Sequence, residues 1–340
     1  MKIRETLSFD DVLLVPRYSE IKSRKQINIG NSFNNAEFNL PIISAPMDTV
    51  TEASMAVAMQ ESGGLGIIHR YNTVQKQCQL VHNAVSAGAK NVGAAIGVSE
   101  DCLNRALALH NAGAKTICID VAHGHHFLVR RTLESLKNIF DETIHVMAGN
   151  VATLEAFNDL ADWGADSVRI GIGGGSICST RIQTGHGIPT LQSIMDCSQS
   201  DREVLLIADG GIKTPGDIVK ALAAGADFVI IGSLLAGTNE SPGELFYISG
   251  EKYKTYRGMA SEEAQKDWRG SASSLEGITS KVPHKGDVKN VLTKLERGIR
   301  SDFSYSGAKN LTELQSKARF VKQTTAGQLE SSTHIEKRYE

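Results

Sequence analysis

Eight short apolar runs recur along this chain at regular intervals, and no other feature limits its possible folds so strongly. They are Pro41–Ala45, Gly64–His69, Asn91–Gly97, Thr116–Ala122, His145–Val151, Ser167–Gly173, Val204–Gly210 and Phe228–Leu234. They are rich in β-branched residues, and several end in glycine. The stretches between them, such as Glu100–Asn111 and Leu154–Trp163, are amphipathic with helical spacing. Eight strand–helix alternations predict an α/β chain closed into a (β/α)8 TIM barrel of parallel strands. An open doubly wound sheet is the alternative. A short echo supports the pattern: AGAK, AGAK, WGAD and AGAD begin at Ala87, Ala112, Trp163 and Ala224. Each reads as a helix end with a glycine stop, then a turn into a buried strand.

Two regions stand outside the alternation. Residues 1–40 read as an N-terminal extension, and residues 240–285 as a polar, Gly/Ser-rich irregular segment. The latter follows the eighth run and is expected to be a mobile flap over the active face, spanning about 250–285. The part beyond Gly286 reads as helical, fraying after Lys322 into a tail over about 323–340. No composition break marks a second domain, so residues 1–340 are expected to form one catalytic barrel.

With 340 residues and a formal net charge of −2, the chain is not a general polyanion binder, so nucleic acid is not an expected partner. Five cysteines, Cys78, Cys102, Cys118, Cys178 and Cys197, are widely spaced with no CxxC, which argues against a disulfide framework and for a reducing compartment. No run approaches the roughly 20 apolar residues of a membrane span, and no apolar signal core follows Met1. A cytoplasmic protein without a membrane partner is expected.

In such a barrel the loops after the strands build the active face. The richest is GIGGGSICSTR, Gly171–Arg181. Its glycines let backbone amides approach a ligand, Ser176 adds a hydroxyl, and Cys178 sits in an exposed loop as a candidate nucleophile. Asp209-Gly210-Gly211 and Gly232-Ser233 follow the seventh and eighth runs, where many barrels cradle a phosphate. Asp209 is placed for a sugar hydroxyl pair, or simply as a cap. Asp120 and Asn150, at the ends of the fourth and fifth runs, are candidate ligand contacts. His123, His125 and His126 lack the spacing and further ligands of a metal site.

At these residues the text resembles the IMP dehydrogenase/GMP reductase family over almost the whole chain. The matching segments are LSFDDVLLVP (Leu7–Pro16), SAPMDTVTE (Ser44–Glu52), GLGIIHR (Gly64–Arg70), IDVAHGH (Ile119–His125), MAGNVAT (Met147–Thr153), GIGGGSICSTR (Gly171–Arg181), ADGGI (Ala208–Ile212), IGSLLAG (Ile231–Gly237) and YRGMAS (Tyr256–Ser261). Gly174 departs from the proline usual there, which is expected to loosen the cysteine loop. The reductase branch is favoured. No regulatory insert lies between His69 and Asn91, and the flap from Met259 to Glu276 is short, with Trp268-Arg269 where a dehydrogenase has an Arg-Tyr pair that activates water. Val282–Val288 and Gly298–Ala308 also look like the reductase. The AHGH text and the tail Thr324–His334 look more like the dehydrogenase.

The resemblance implies a purine nucleotide oxidoreductase of nucleotide salvage, taking GMP to IMP and ammonia with NADPH through a covalent Cys178 thioimidate. The alternative it leaves is IMP dehydrogenase acting on IMP with NAD. It implies Cys178, Thr180 and Glu276 as catalytic residues. Substrate contacts are Ser44, Met47, Ser176, Asp209, Gly211, Gly232, Ser233, Tyr256, Gly258, Met259 and Ala260. Asp120, Asn150, Arg181 and Gly185 would face the cofactor. A potassium-type cation on carbonyls of Gly173, Gly175 and Cys178, with Glu330 from a neighbouring chain, and a homotetramer are further implications. A nucleotide sensor without activity, or a flavin oxidoreductase on the same barrel, would not need Cys178, Thr180 and Glu276 together.

Overall fold

A computed structural model describes residues 3–140 and 143–331 of the chain. All eight apolar runs form strands: β1 (Ile42–Ser44), β2 (Leu65–Ile68), β3 (Val92–Ile96), β4 (Thr116–Asp120), β5 (His145–Val151), β6 (Ser167–Ile170), β7 (Leu205–Asp209) and β8 (Phe228–Ile231). Each pairs in parallel with its neighbours in sequence, and β8 pairs with β1, so the sheet closes as the expected (β/α)8 barrel. Closure removes the sheet edges that an open doubly wound sheet would leave.

Alternate strand residues serve two cores. Ile43, Leu65, Ile67, Ala95, Cys118, Met147, Ile207 and Ile230 fill the barrel interior. Their neighbours, such as Ile42, Ile68, Ile96, Ile119 and Val229, pack outward on the helices. Thr73, Thr153 and Thr214 cap helix starts by accepting a backbone N–H each. The four repeated glycines, Gly88, Gly113, Gly164 and Gly225, all have positive φ, between 101° and 118°, which is what lets each helix turn sharply into the next strand.

The N-terminal extension closes one end. Asn31–Phe33 and Ala36–Phe38 form a hairpin whose turn residues Asn34 and Asn35 have φ of 47° and 59°. Its Phe33 and Phe38 rings stack at 4.6 Å and meet Phe228, at the start of β8, at 5.3 and 5.7 Å. Phe33 also packs on His145, at the start of β5, at 4.2 Å. The strand starts are thus plugged with aromatic rings, and the C-terminal ends remain for a site.

The expectation of an irregular segment over residues 240–285 is corrected. Leu245–Ile248, Glu251–Arg257 and Thr279–Pro283 form a three-stranded antiparallel sheet, with helix Glu262–Arg269 in the connection. Ser249 and Gly250, both at positive φ, make the tight turn. High polarity hid these strands, because the sheet lies mostly in solvent and carries no apolar run. The C-terminal part is corrected likewise: Phe320–Lys322, read as helical, is a strand paired with Val12–Leu14, and Thr325–Glu330, in the expected tail, is a short helix. Residues 332–340 of the expected tail, His334 among them, lie outside the described residues. Among the described residues no helix is long and apolar enough to cross a membrane.

Candidate active site

Glycine sets the geometry of the strand exits. Gly171 has φ of 144°, and a Cβ there would lie 1.9 Å from the Asp209 carbonyl oxygen, so the loop after β6 can press against the end of β7 only as glycine. At Gly174 a Cβ would stand 2.5 Å from Thr190 Oγ1. The departure from proline there is therefore matched by the Thr190 side chain, which occupies the space.

Two contiguous cavities open at this end. The first, of about 300 Å³, is walled by Gly174, Gly175, Ser176, Gly211, Gly232 and Ser233, with Ser8 and Lys213 at its margin. Small residues leave the backbone of three loops bare, the arrangement an anion cradle requires. Ser176 and Tyr256 stand with their hydroxyls 3.5 Å apart. The second cavity, of about 290 Å³, is walled by Cys178, Thr180 and Glu276 on one side and by Arg70, Tyr71, Asp120 and Asn150 on another. Met47, Asp209 and Tyr256 border both.

Cys178 lies in the second cavity with its Sγ–H donating to Thr180 Oγ1 at 3.2 Å, and Thr180 donates to Glu276 Oε2 at 2.7 Å. The two segments that carry this chain are stitched together. The Ser179 N–H donates to the Glu276 carbonyl at 2.8 Å, and the Ile278 N–H to the Ile177 carbonyl at 3.0 Å. Among the other cysteines, burial pushes Cys118 up to about 11 and Cys197 up to about 12, so both remain inert thiols. Cys178 is the cysteine that the fold presents to the cleft.

Sequence reasoning missed the organising charge. Arg169, in the middle of β6, is 5% exposed and lies between two carboxylates. Its Nη1 donates to Asp120 Oδ1 at 2.8 Å, and Nε and Nη2 donate to Asp209 Oδ2 at 3.1 and 2.7 Å. Asn150 Nδ2 adds a bond to the same Asp209 oxygen at 2.9 Å. Asp209 Oδ1 takes no hydrogen bond from the described residues, which leaves it for a ligand hydroxyl. The signal was present: a charged residue at an inward position of a barrel strand needs a partner.

Other expected residues divide by place. Met47, Gly258, Met259 and Ala260 line the second cavity. Met259 Sδ accepts the Asp48 N–H at 3.3 Å, and Arg257 grips Asp48 and Asp267, which ties the flap to the β1 loop. Ser44 is fully buried, accepts from Thr51 Oγ1 at 2.8 Å and lies on neither cavity wall. Arg181 borders the first cavity, its guanidinium donating to the Ile172 and Ile188 carbonyls at 3.2 and 2.7 Å. Gly185 caps helix Thr180–Thr184 at φ 71° and lies on neither wall. The Gly175 carbonyl accepts the Cys178 N–H at 3.2 Å. His125 pairs with Asp159 at 2.7 Å, and no cluster of metal-ligating side chains occurs among the described residues.

Residues 6–334 match the model of the IMP dehydrogenase / GMP reductase domain. The chain is 34% identical to inosine-5'-monophosphate dehydrogenase of Nitrosopumilus maritimus, over 98% of this chain and 99% of that one. It is 32% identical to GMP reductase of Leishmania major, over 97% of each. A crystal structure of a cysteine-to-alanine variant of Trypanosoma brucei GMP reductase, in complex with guanosine 5'-monophosphate, superposes with a TM-score of 0.93 at 30% identity and covers 98% of both chains. With the barrel, the glycine cradle and the presented cysteine in the arrangement described, the chain belongs to the IMP dehydrogenase / GMP reductase family of oxidoreductases.

Proposed function

We propose that the protein is a GMP reductase, converting GMP to IMP and ammonia with NADPH. The observation that carries this is the continuous Cys178–Thr180–Glu276 hydrogen-bond chain beside an anion cradle. The GMP complex of the Trypanosoma brucei relative supports the substrate class.

The phosphate is held by the glycine loops with Ser176, Ser233 and Tyr256, and the ribose by the free oxygen of Asp209. The purine then extends over Met47 toward Cys178. The Cys178 proton passes through Thr180 to Glu276 as sulfur bonds to C2. The same relay returns a proton to the 2-amino group, which departs as ammonia and leaves a covalent thioimidate. Reduced nicotinamide, when bound, supplies the hydride that reaches C2. The C2–S bond then breaks, the thiolate leaves, and IMP is released. The far wall of the second cavity fits such a group: Asp120, Asn150 and a Tyr71 hydroxyl that takes no hydrogen bond from the described residues offer polar contacts on the side away from the glycine cradle. The flap favours the reductase direction, since its helix Glu262–Arg269 holds no Arg-Tyr pair to activate water. No step requires a monovalent cation.

Pure protein is incubated with GMP and NADPH, and separately with IMP and NAD, while the reduced-nicotinamide absorbance is followed. Oxidation in the first mixture alone is expected. Reduction in the second alone would make the protein an IMP dehydrogenase instead. Cys178→Ala is expected to bind GMP and turn over nothing; activity in that variant rules out the covalent route.

A further inference from the structure

Tyr71 follows β2 and lines the second cavity next to Arg70, at the end away from the glycine cradle. Its ring is held with unusual care. Trp268, on the flap helix, stacks on it at 4.2 Å with planes 15° apart. The Arg70 guanidinium lies 5.2 Å from the Tyr71 ring centre and 5.5 Å from that of Trp268. Arg70 Nε also donates to the Asp120 carbonyl at 3.1 Å. The backbone is fixed as well: the Tyr71 N–H donates to His69 Nδ1 at 3.2 Å, and buried His69 turns its Nε2 to Glu52 at 3.2 Å. Yet the phenol hydroxyl takes no hydrogen bond from the described residues. A ring oriented on so many sides, with a free polar tip in a cavity, is a preorganised ligand contact.

We propose that the Tyr71 hydroxyl donates a hydrogen bond to the carboxamide oxygen of the nicotinamide cofactor, and that Trp268 is the positioning residue that holds the ring for it. This rests on the oxidoreductase reading above. The phosphate and ribose of the nucleotide are accounted for in the first cavity and at Asp209, and its base ends at Cys178. What remains of the second cavity, beyond Cys178, is the Arg70–Tyr71–Asp120 wall, where the second reactant must enter. Burial raises the phenol above its ordinary pKa, so it stays a donor at physiological pH. Because Trp268 belongs to the flap, the contact couples flap closure to cofactor binding.

Calorimetric titration of NADPH into the enzyme saturated with IMP reads the contact without turnover. Tyr71→Phe is expected to weaken NADPH binding about 5- to 20-fold, the loss of one hydrogen bond, and to leave GMP affinity within about twofold. Trp268→Ala is expected to weaken NADPH at least as much, and Trp268→Phe to restore most of it. Unchanged NADPH affinity in Tyr71→Phe, or a loss confined to GMP, overturns the proposal. If the parent enzyme binds NAD and not NADPH, the reductase assignment fails separately, and the same Tyr71 comparison is made with NAD in the Cys178→Ala background, where IMP and NAD cannot turn over and the carboxamide is identical.

Discussion

Thr180 donates to Glu276 at 2.7 Å while its own oxygen accepts the Cys178 thiol, so one hydroxyl joins a carboxylate on the flap to the cysteine of the barrel loop. A group that both accepts and donates relays a proton without moving. Glu276→Gln and Thr180→Val are each expected to lower kcat by about 10²- to 10⁴-fold, with nucleotide binding nearly unchanged. The double variant should lose little more than either single one, because both remove the same relay. Multiplicative losses in steady-state kinetics would mean that the two residues act separately.

Arg169 is buried between Asp120 and Asp209. Removing the cation leaves two largely buried carboxylates without their shared counter-charge. Arg169→Met is expected to cost about 3–5 kcal/mol in urea unfolding. It should also weaken nucleotide binding, since Asp209 loses the donors that aim it. A triple variant with Asp120→Asn and Asp209→Asn should recover much of the stability and none of the binding. A single variant as stable as the parent would refute the electrostatic account.

His145 sits at the plugged end of the barrel, where burial lowers its pKa from 6.5 to about 4. The unfolded chain takes up a proton near pH 6.5, and the folded chain resists until about pH 4. Stability is therefore expected to fall as pH drops through that window, by about 3 kcal/mol in total from this residue. In His145→Gln that part of the acid loss should vanish. Unfolding midpoints measured from pH 7 to 4 test this, and parallel curves for the two proteins would exclude His145 as the cause.

The barrel was legible because its signal is local. Each strand is buried on both faces and must read as a continuous apolar run, and each glycine stop announces a φ that other residues avoid. Cys178 and Asp209 stood out for a related reason, since they lie at or just past the ends of those runs, whereas Thr180 and Glu276 were singled out only through the family resemblance. The flap sheet was not, since Glu251–Arg257 pairs on both sides and yet is polar at almost every position, buried Lys254 included, and a polar strand has no run to betray it.

The amino-acid sequence by itself determined the eight-fold alternation, the glycine-rich strand exits and which cysteine stands among them, all consequences of residue type at short spacing. Only the tertiary structure decided that Arg169 bridges two carboxylates from different strands, that Glu276 reaches Thr180 across 96 positions, and that Trp268 rests on Tyr71. Those pairings depend on barrel closure, which brings distant strand ends within a hydrogen bond of one another, and no local pattern carries that information.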